Sequence, residues 1–124
     1  FPYFKLFMMH NFRKLDIWKD SMDLAVAIYH LTTNFPDSER FNLTHQIRKA
    51  SVSVPSNIAE GAGRNTNRDF NNFLGIATGS SYELETQLLL SERLGFTNEQ
   101  ELSEVISGLH SIQKRIYNFK KRLG

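Results

Sequence analysis

Apolar residues recur along this chain at the three- and four-residue steps of an α-helix, and the recurrences fall into four blocks. In the first, a stripe of Trp18, Met22, Ala25, Tyr29 and Thr32 runs beside a stripe of Ile17, Leu24, Ile28 and Leu31, which predicts a helix from about Asp16 to Asn34. Asp16 suits its start, and Asn34-Phe35-Pro36 stops it. The second block begins near Leu43 and carries Ile47, Ala50, Val54 and Ile58 on one face. The third opens at Thr66, which with Asp69 resembles a capping box, and continues through Phe70, Phe73, Leu74, Ala77, Leu84 and Leu88 to Leu94, with Gly95 as its stop. The fourth opens at Thr97, boxed by Gln100, and shows Leu102, Val105, Ile106, Leu109, Ile112, Ile116, Phe119 and Leu123. Nothing alternates with the two-residue period of a strand. Short connections between long amphipathic helices favour antiparallel neighbours, so the pattern predicts an all-α, up-down-up-down antiparallel four-helix bundle.

The second block contains an anomaly, because its apolar spacing crosses Pro55 unbroken. Proline inside a helix deletes one backbone hydrogen bond and crowds the carbonyl one turn back, a cost of roughly 3 kcal/mol. A kinked second helix is expected, with a break at Val54 as the lesser alternative. Asn57 follows in the same run, which ends in Ala59, Gly61, Ala62 and Gly63, and small residues recur at Gly75, Ala77, Gly79, Ser80 and Ser81. Two such surfaces would let the second and third helices approach closely; the plainer reading is tight packing and a frayed helix end alone. Trp18, Tyr29, Phe70, Phe73 and Phe119 fall on the stripes and are expected in the core. Phe35, Phe41, Tyr82 and Ile76 fall at turns or off the main stripes, which suggests burial against another subunit.

A chain of 124 residues suits one domain, expected at residues 11–124. Residues 1–10 read as a vector-derived or disordered extension, with Met8 or Met9 as the natural start. Cysteine is absent, which excludes disulfides and thiol chemistry and makes a reducing cytoplasm the expected compartment. No run approaches the ~20 apolar residues of a membrane span.

Catalytic constellations do not emerge from the spacing. His10, His30, His45 and His110 are scattered with no Glu three residues before any of them, so neither a di-iron site nor any cofactor is inferred. Ser111 and Lys114 form an isolated SxxK without companion motifs. Asp20 with Asp23, and Glu101 with Glu104, read as solvated faces. An enzyme and a small-molecule substrate are therefore not expected.

Charge is distributed unevenly. Nine Lys or Arg and six Asp or Glu lie between Phe1 and Arg68, one and seven between Asp69 and Leu109, five and none from His110 onward. The basic candidates are Arg48, Lys49, Arg64 and Arg68, together with Lys114, Arg115, Lys120, Lys121 and Arg122 near the C-terminus. The plainest reading of the last cluster is a solvated helix end whose cations suit the helix dipole. Two others stand beside it: a surface for the phosphates of a nucleic acid, with salt-sensitive affinity, and patches that steer subunits together.

The runs NFRKLDIWKDSMDLA, FPDSERFNLTHQIRKASVSVPSNIAEGAGR and FLGIATGSSYELETQL resemble bacterial four-helix-bundle proteins typified by those encoded within intervening sequences of large-subunit ribosomal RNA genes. A relative of these is the accessory variability determinant of diversity-generating retroelements. The resemblance spans Asn11 to Leu123 and implies a homopentameric ring and, in the retroelement relative, a basic surface that engages RNA and a reverse transcriptase. It makes a non-catalytic, RNA-binding homo-oligomer the favoured reading. A structural module that binds only protein is the alternative.

Overall fold

The computed structural model describes residues 11–124, which form four long helices and no strand: α1 (Asp16–Thr32), α2 (Leu43–Ala62), α3 (Asn67–Arg93) and α4 (Glu99–Leu123). Short 3-10 turns at Phe12–Lys14 and Asp37–Glu39 precede α1 and α2. The expected extension at residues 1–10 lies outside the described residues.

Local chemistry sets most boundaries. Thr66 Oγ1 accepts the Asp69 N–H at 3.1 Å and so occupies one of the orphan donors that start α3. At the far end Gly95 takes φ +80°, a left-handed conformation that glycine adopts without a Cβ penalty. There the Phe96 N–H reaches Ser91 O at 2.9 Å and the Gly95 N–H reaches Glu92 O at 3.0 Å, which closes the last carbonyls of α3. The start of α4 differs from the expectation by one residue. Asn98, not Thr97, is the cap: its Oδ1 accepts the Glu101 N–H at 2.9 Å while its Nδ2 donates to Glu101 Oε1 at 2.8 Å. Thr97 points inward and is buried. Helix α1 stops at Thr32, two residues short of the expected Asn34.

Helix α2 stays continuous through Pro55, and the break at Val54 does not occur. Around the proline, Asn57 Nδ2 donates to Ser53 O at 2.8 Å and to Ser53 Oγ at 3.0 Å. The same Ser53 hydroxyl shares a hydrogen bond with Ser80 Oγ, 2.8 Å away on α3. The serine and asparagine of the SVPSN run thus fasten α2 to α3.

The core is aliphatic. Ile28, Ile47, Ile58, Leu74, Leu84, Leu88, Leu109 and Ile116 are fully buried, each worth roughly 1.5–3 kcal/mol relative to exposure. Helix α1 buries Ile17, Leu24 and Ile28 of one stripe but only Ala25 and Thr32 of the other; Met22 and Tyr29 are 42 % and 43 % exposed, and Trp18 is half-buried against Phe12 with ring centroids 5.1 Å apart. Of the aromatics expected in the core, Phe70 is buried and Phe73 and Phe119 are half-buried at its edge. Phe35, expected to face another subunit, is only 6 % exposed and packs on Phe96 at 5.8 Å.

Contacts across the bundle join the start of each helix to the end of its neighbour. Arg48 in α2 bonds to Tyr29 O and Thr32 Oγ1 at the end of α1. Gly61 at the end of α2 meets Phe70 and Phe73 near the start of α3. Asn67 at the start of α3 donates to Leu123 O at the end of α4, and Arg115 of α4 pairs with Asp20 of α1.

Candidate nucleic-acid interface

Those contacts bring the start of α1, the end of α2, the start of α3 and the end of α4 to one pole of the bundle. Along the chain, the segments that meet there are 13–20, 60–72 and 114–124. They hold ten Lys or Arg against four Asp or Glu, whereas the rest of the described residues hold four against nine. A chain of net charge +2 therefore folds into a molecule with a strongly basic pole and an acidic remainder.

The pole gathers most of the cations singled out from sequence. Arg64 lies over the Phe73 ring at 4.5 Å and reaches Glu60 Oε1 at 3.3 Å. Arg122 lies over Phe119 at 5.5 Å, and Lys121 over Tyr117 at 5.5 Å. A guanidinium stacked on a ring uses its face, so its in-plane N–H donors stay available to a phosphate. Arg68 and Lys114 are exposed. Arg115 is the most constrained of the set: Asp20 Oδ2 sits 2.7 Å from one nitrogen, and another donates to Ser111 O at 3.3 Å. It lines a cleft of about 400 Å³ with Lys14, Asp16, Phe119 and Arg122.

Sequence reasoning missed Arg13 and Lys14, which join this pole from the turn before α1, and Lys19 in the first turn of α1. Their contribution was hidden because they stand far in sequence from the other cations. The i,i+4 pair Tyr117–Lys121 and the i,i+3 pair Phe119–Arg122 were legible signals of stacked cations. Arg48 and Lys49 are not brought to the pole. They lie about 20 Å along α2 from its end at Ala62, at 1.5 Å per residue. Arg48 is occupied there: its Nε donates to Thr32 Oγ1 at 2.9 Å, a second nitrogen donates to Tyr29 O at 3.3 Å, and the guanidinium covers the Tyr29 ring at 4.6 Å. It closes the end of α1, a structural task.

The glycines divide similarly. A Cβ on Gly61 would stand 2.7 Å from Phe73 Cβ and 2.9 Å from Phe70 Cδ1, so the close approach of α2 and α3 depends on this residue. Gly75 contributes nothing to that approach; a Cβ there would meet only Lys120 Nζ of α4, at 3.3 Å. Gly79 has no neighbour within 4 Å of such a Cβ. The expected small-residue contact between these helices is therefore made by Gly61 on α2 and, on α3, by Ser80, which bonds to Ser53, while Gly75 and Gly79 take no part in it.

Away from the pole, His110 Nε2 lies 2.9 Å from Glu85 Oε2 and Gln113 Nε2 donates to Glu85 Oε1 at 3.0 Å. The His110 and then the Gln113 hydrogen bond hold the Glu85 carboxyl below its ordinary value, against a smaller opposing effect of burial. On the opposite side, α1 and α2 form an apolar groove of about 600 Å³ lined by Trp18, Met22, Val26, Tyr29, Val52, Pro55 and Ala59. Among the described residues no three His, Asp or Glu gather closely enough to hold a metal ion, and no helix is long and apolar enough to cross a membrane.

Fold and surface together define an all-α four-helix protein whose distinctive chemistry is a pole of aromatic-backed cations. The profile of the 23S rRNA-intervening sequence protein family matches residues 13–118, and the chain belongs to that family. Among solved structures it is similar to a protein of unknown function from the S23 ribosomal protein family of Bacteroides thetaiotaomicron. The two are 25 % identical with a TM-score of 0.76, over 85 % of this chain and 98 % of that one. No curated protein matches the chain by sequence.

Proposed function

We propose that this protein is a non-catalytic accessory factor that binds RNA through its basic pole and works as a homo-oligomer, with five copies as the expected number. The observation that carries the reading is the convergence of four helix ends on ten cations, several of them backed by aromatic rings. Such a surface offers point charges and guanidinium forks to a phosphate backbone without demanding a sequence. A role beside a reverse transcriptase, as in the retroelement relative, is the finer form of the same proposal.

Self-association is supported by the apolar groove between α1 and α2, where Met22, Val26, Tyr29 and Val52 stand exposed side by side. The same groove favours the second reading, a module that binds only protein. Reversing Lys120, Lys121 and Arg122 to Glu separates the two. The RNA reading expects an oligomer of unchanged mass that no longer retains structured RNA at low ionic strength. Loss of assembly with no RNA bound by the parent protein supports the protein-only module.

A further inference from the structure

We propose that the cleft between α3 and α4, beside the basic pole, takes an unpaired base of a single-stranded RNA segment whose phosphates lie on Lys120 and Lys121. This deepens the RNA reading and rests on it. The cleft has a volume of about 350 Å³, and its lining includes Tyr82, Tyr117, Asn71, Gln113, Lys120 and Lys121. That is the lower end of the size range of small-ligand sites, enough for a base rather than for a helix.

Its chemistry is that of strand binding. Tyr82 and Tyr117 are 56 % and 63 % exposed, one on each helix, and Lys121 Nζ lies 5.5 Å from the Tyr117 ring centre. Every base has a π-face, so exposed rings beside cations recognise unpaired nucleotides without needing a particular sequence. Amides of Asn71 and Gln113 supply the polar edge. Asn71 Oδ1 is buried and has no hydrogen-bond partner, so a turn of the Asn71 amide toward the cleft would let it meet a donor on a base edge. Gln113 is held in place through Glu85. Thr78 completes the α3 wall, and a Cβ at Gly75 would stand 3.3 Å from Nζ of the cleft residue Lys120.

The test compares a labelled oligouridylate, a blunt RNA duplex and uridine monophosphate on the full chain, in the parent and in Tyr82→Leu and Tyr117→Leu. Both tyrosines are exposed, so the variants keep the fold, checked by thermal melting. Each substitution is expected to weaken oligouridylate binding about tenfold, one lost stacking contact, and to leave duplex binding unchanged. Equal affinity of parent and variants for the oligouridylate, with duplex still bound, overturns the cleft and spares the pole. A changed oligomer mass in the variants with unchanged RNA affinity overturns it as well, in favour of a subunit contact. Uridine monophosphate binding as tightly as the oligomer overturns the assignment to a strand. Failure of the parent to retain any RNA at low salt overturns both proposals.

Discussion

Against α2, helix α3 closes until only a hydrogen fits: Gly61 lies on Phe70 and Phe73, Ser53 bonds to Ser80, and Leu74 and Ala77 are fully buried. Against α4 the same helix shares the core through Leu84, Leu88, Leu109 and Ile112 but opens at its rim, where a Cβ at Gly75 would meet only Lys120 Nζ, Glu85 is shared by His110 and Gln113, and a cleft has cations at its mouth. One residue type serves opposite ends on the two seams. Glycine at 61 permits contact, and glycine at 75 and 79 permits absence of contact. The tight seam has no room for a Cβ at residue 61, and the looser one has room at residue 79.

The contrast can be broken experimentally in order of size. Phe70→Ala empties the centre of the tight seam and is expected to lower stability by about 3–5 kcal/mol, read from denaturant midpoints at constant slope. Gly61→Ala forces a methyl into backbone and ring and should cost about 1–3 kcal/mol despite alanine's better helix propensity. Gly79→Ala should move the other way, raising stability by up to about 1 kcal/mol, because it removes a flexible residue from a helix interior and meets nothing. Equal signs for the two alanine variants would erase the distinction between the seams.

The smallest effect lies in the Glu85 cluster. Because folding lowers the Glu85 pKa, its contribution is fully present above the ordinary carboxylate value of 4.5 and is lost as pH falls through the lowered folded-state value. With His110 more than half exposed, His110→Ala is expected to cost under about 1 kcal/mol near neutral pH, and the difference from the parent should vanish in acid.

Much of this was legible from spacing. The α2 stripe of Leu43, Ile47, Ala50, Val54 and Ile58 is buried as the periodicity requires, and Thr66 and Gly95 punctuate α3 by chemistry that needs no tertiary information. Helix α1 shows where periodicity stops. It offers two adjoining apolar stripes, and the choice between Ile17–Leu24–Ile28 and Trp18–Met22–Tyr29 depends on how three other helices crowd around it. Phe35 reads as a turn residue because its partner, Phe96, is remote in sequence. The pole has the same character: folding brings the Arg13-Lys14 pair to the same end of the bundle as Arg64 and Arg122, while Arg48 is drawn off to close α1. Local signals set the elements; which side of each element faces a neighbour is a property of the assembled bundle.

The central claim is that the pole neutralises RNA phosphates. The slope of log binding constant against log salt, measured for one structured RNA, tests it most directly. Each phosphate contact contributes a slope of about −0.7 to −0.9, so reversing Lys120, Lys121 and Arg122 should flatten the dependence by at least about 2 while leaving the oligomer intact. A slope near zero in the parent, or the same slope in both proteins, would contradict the account.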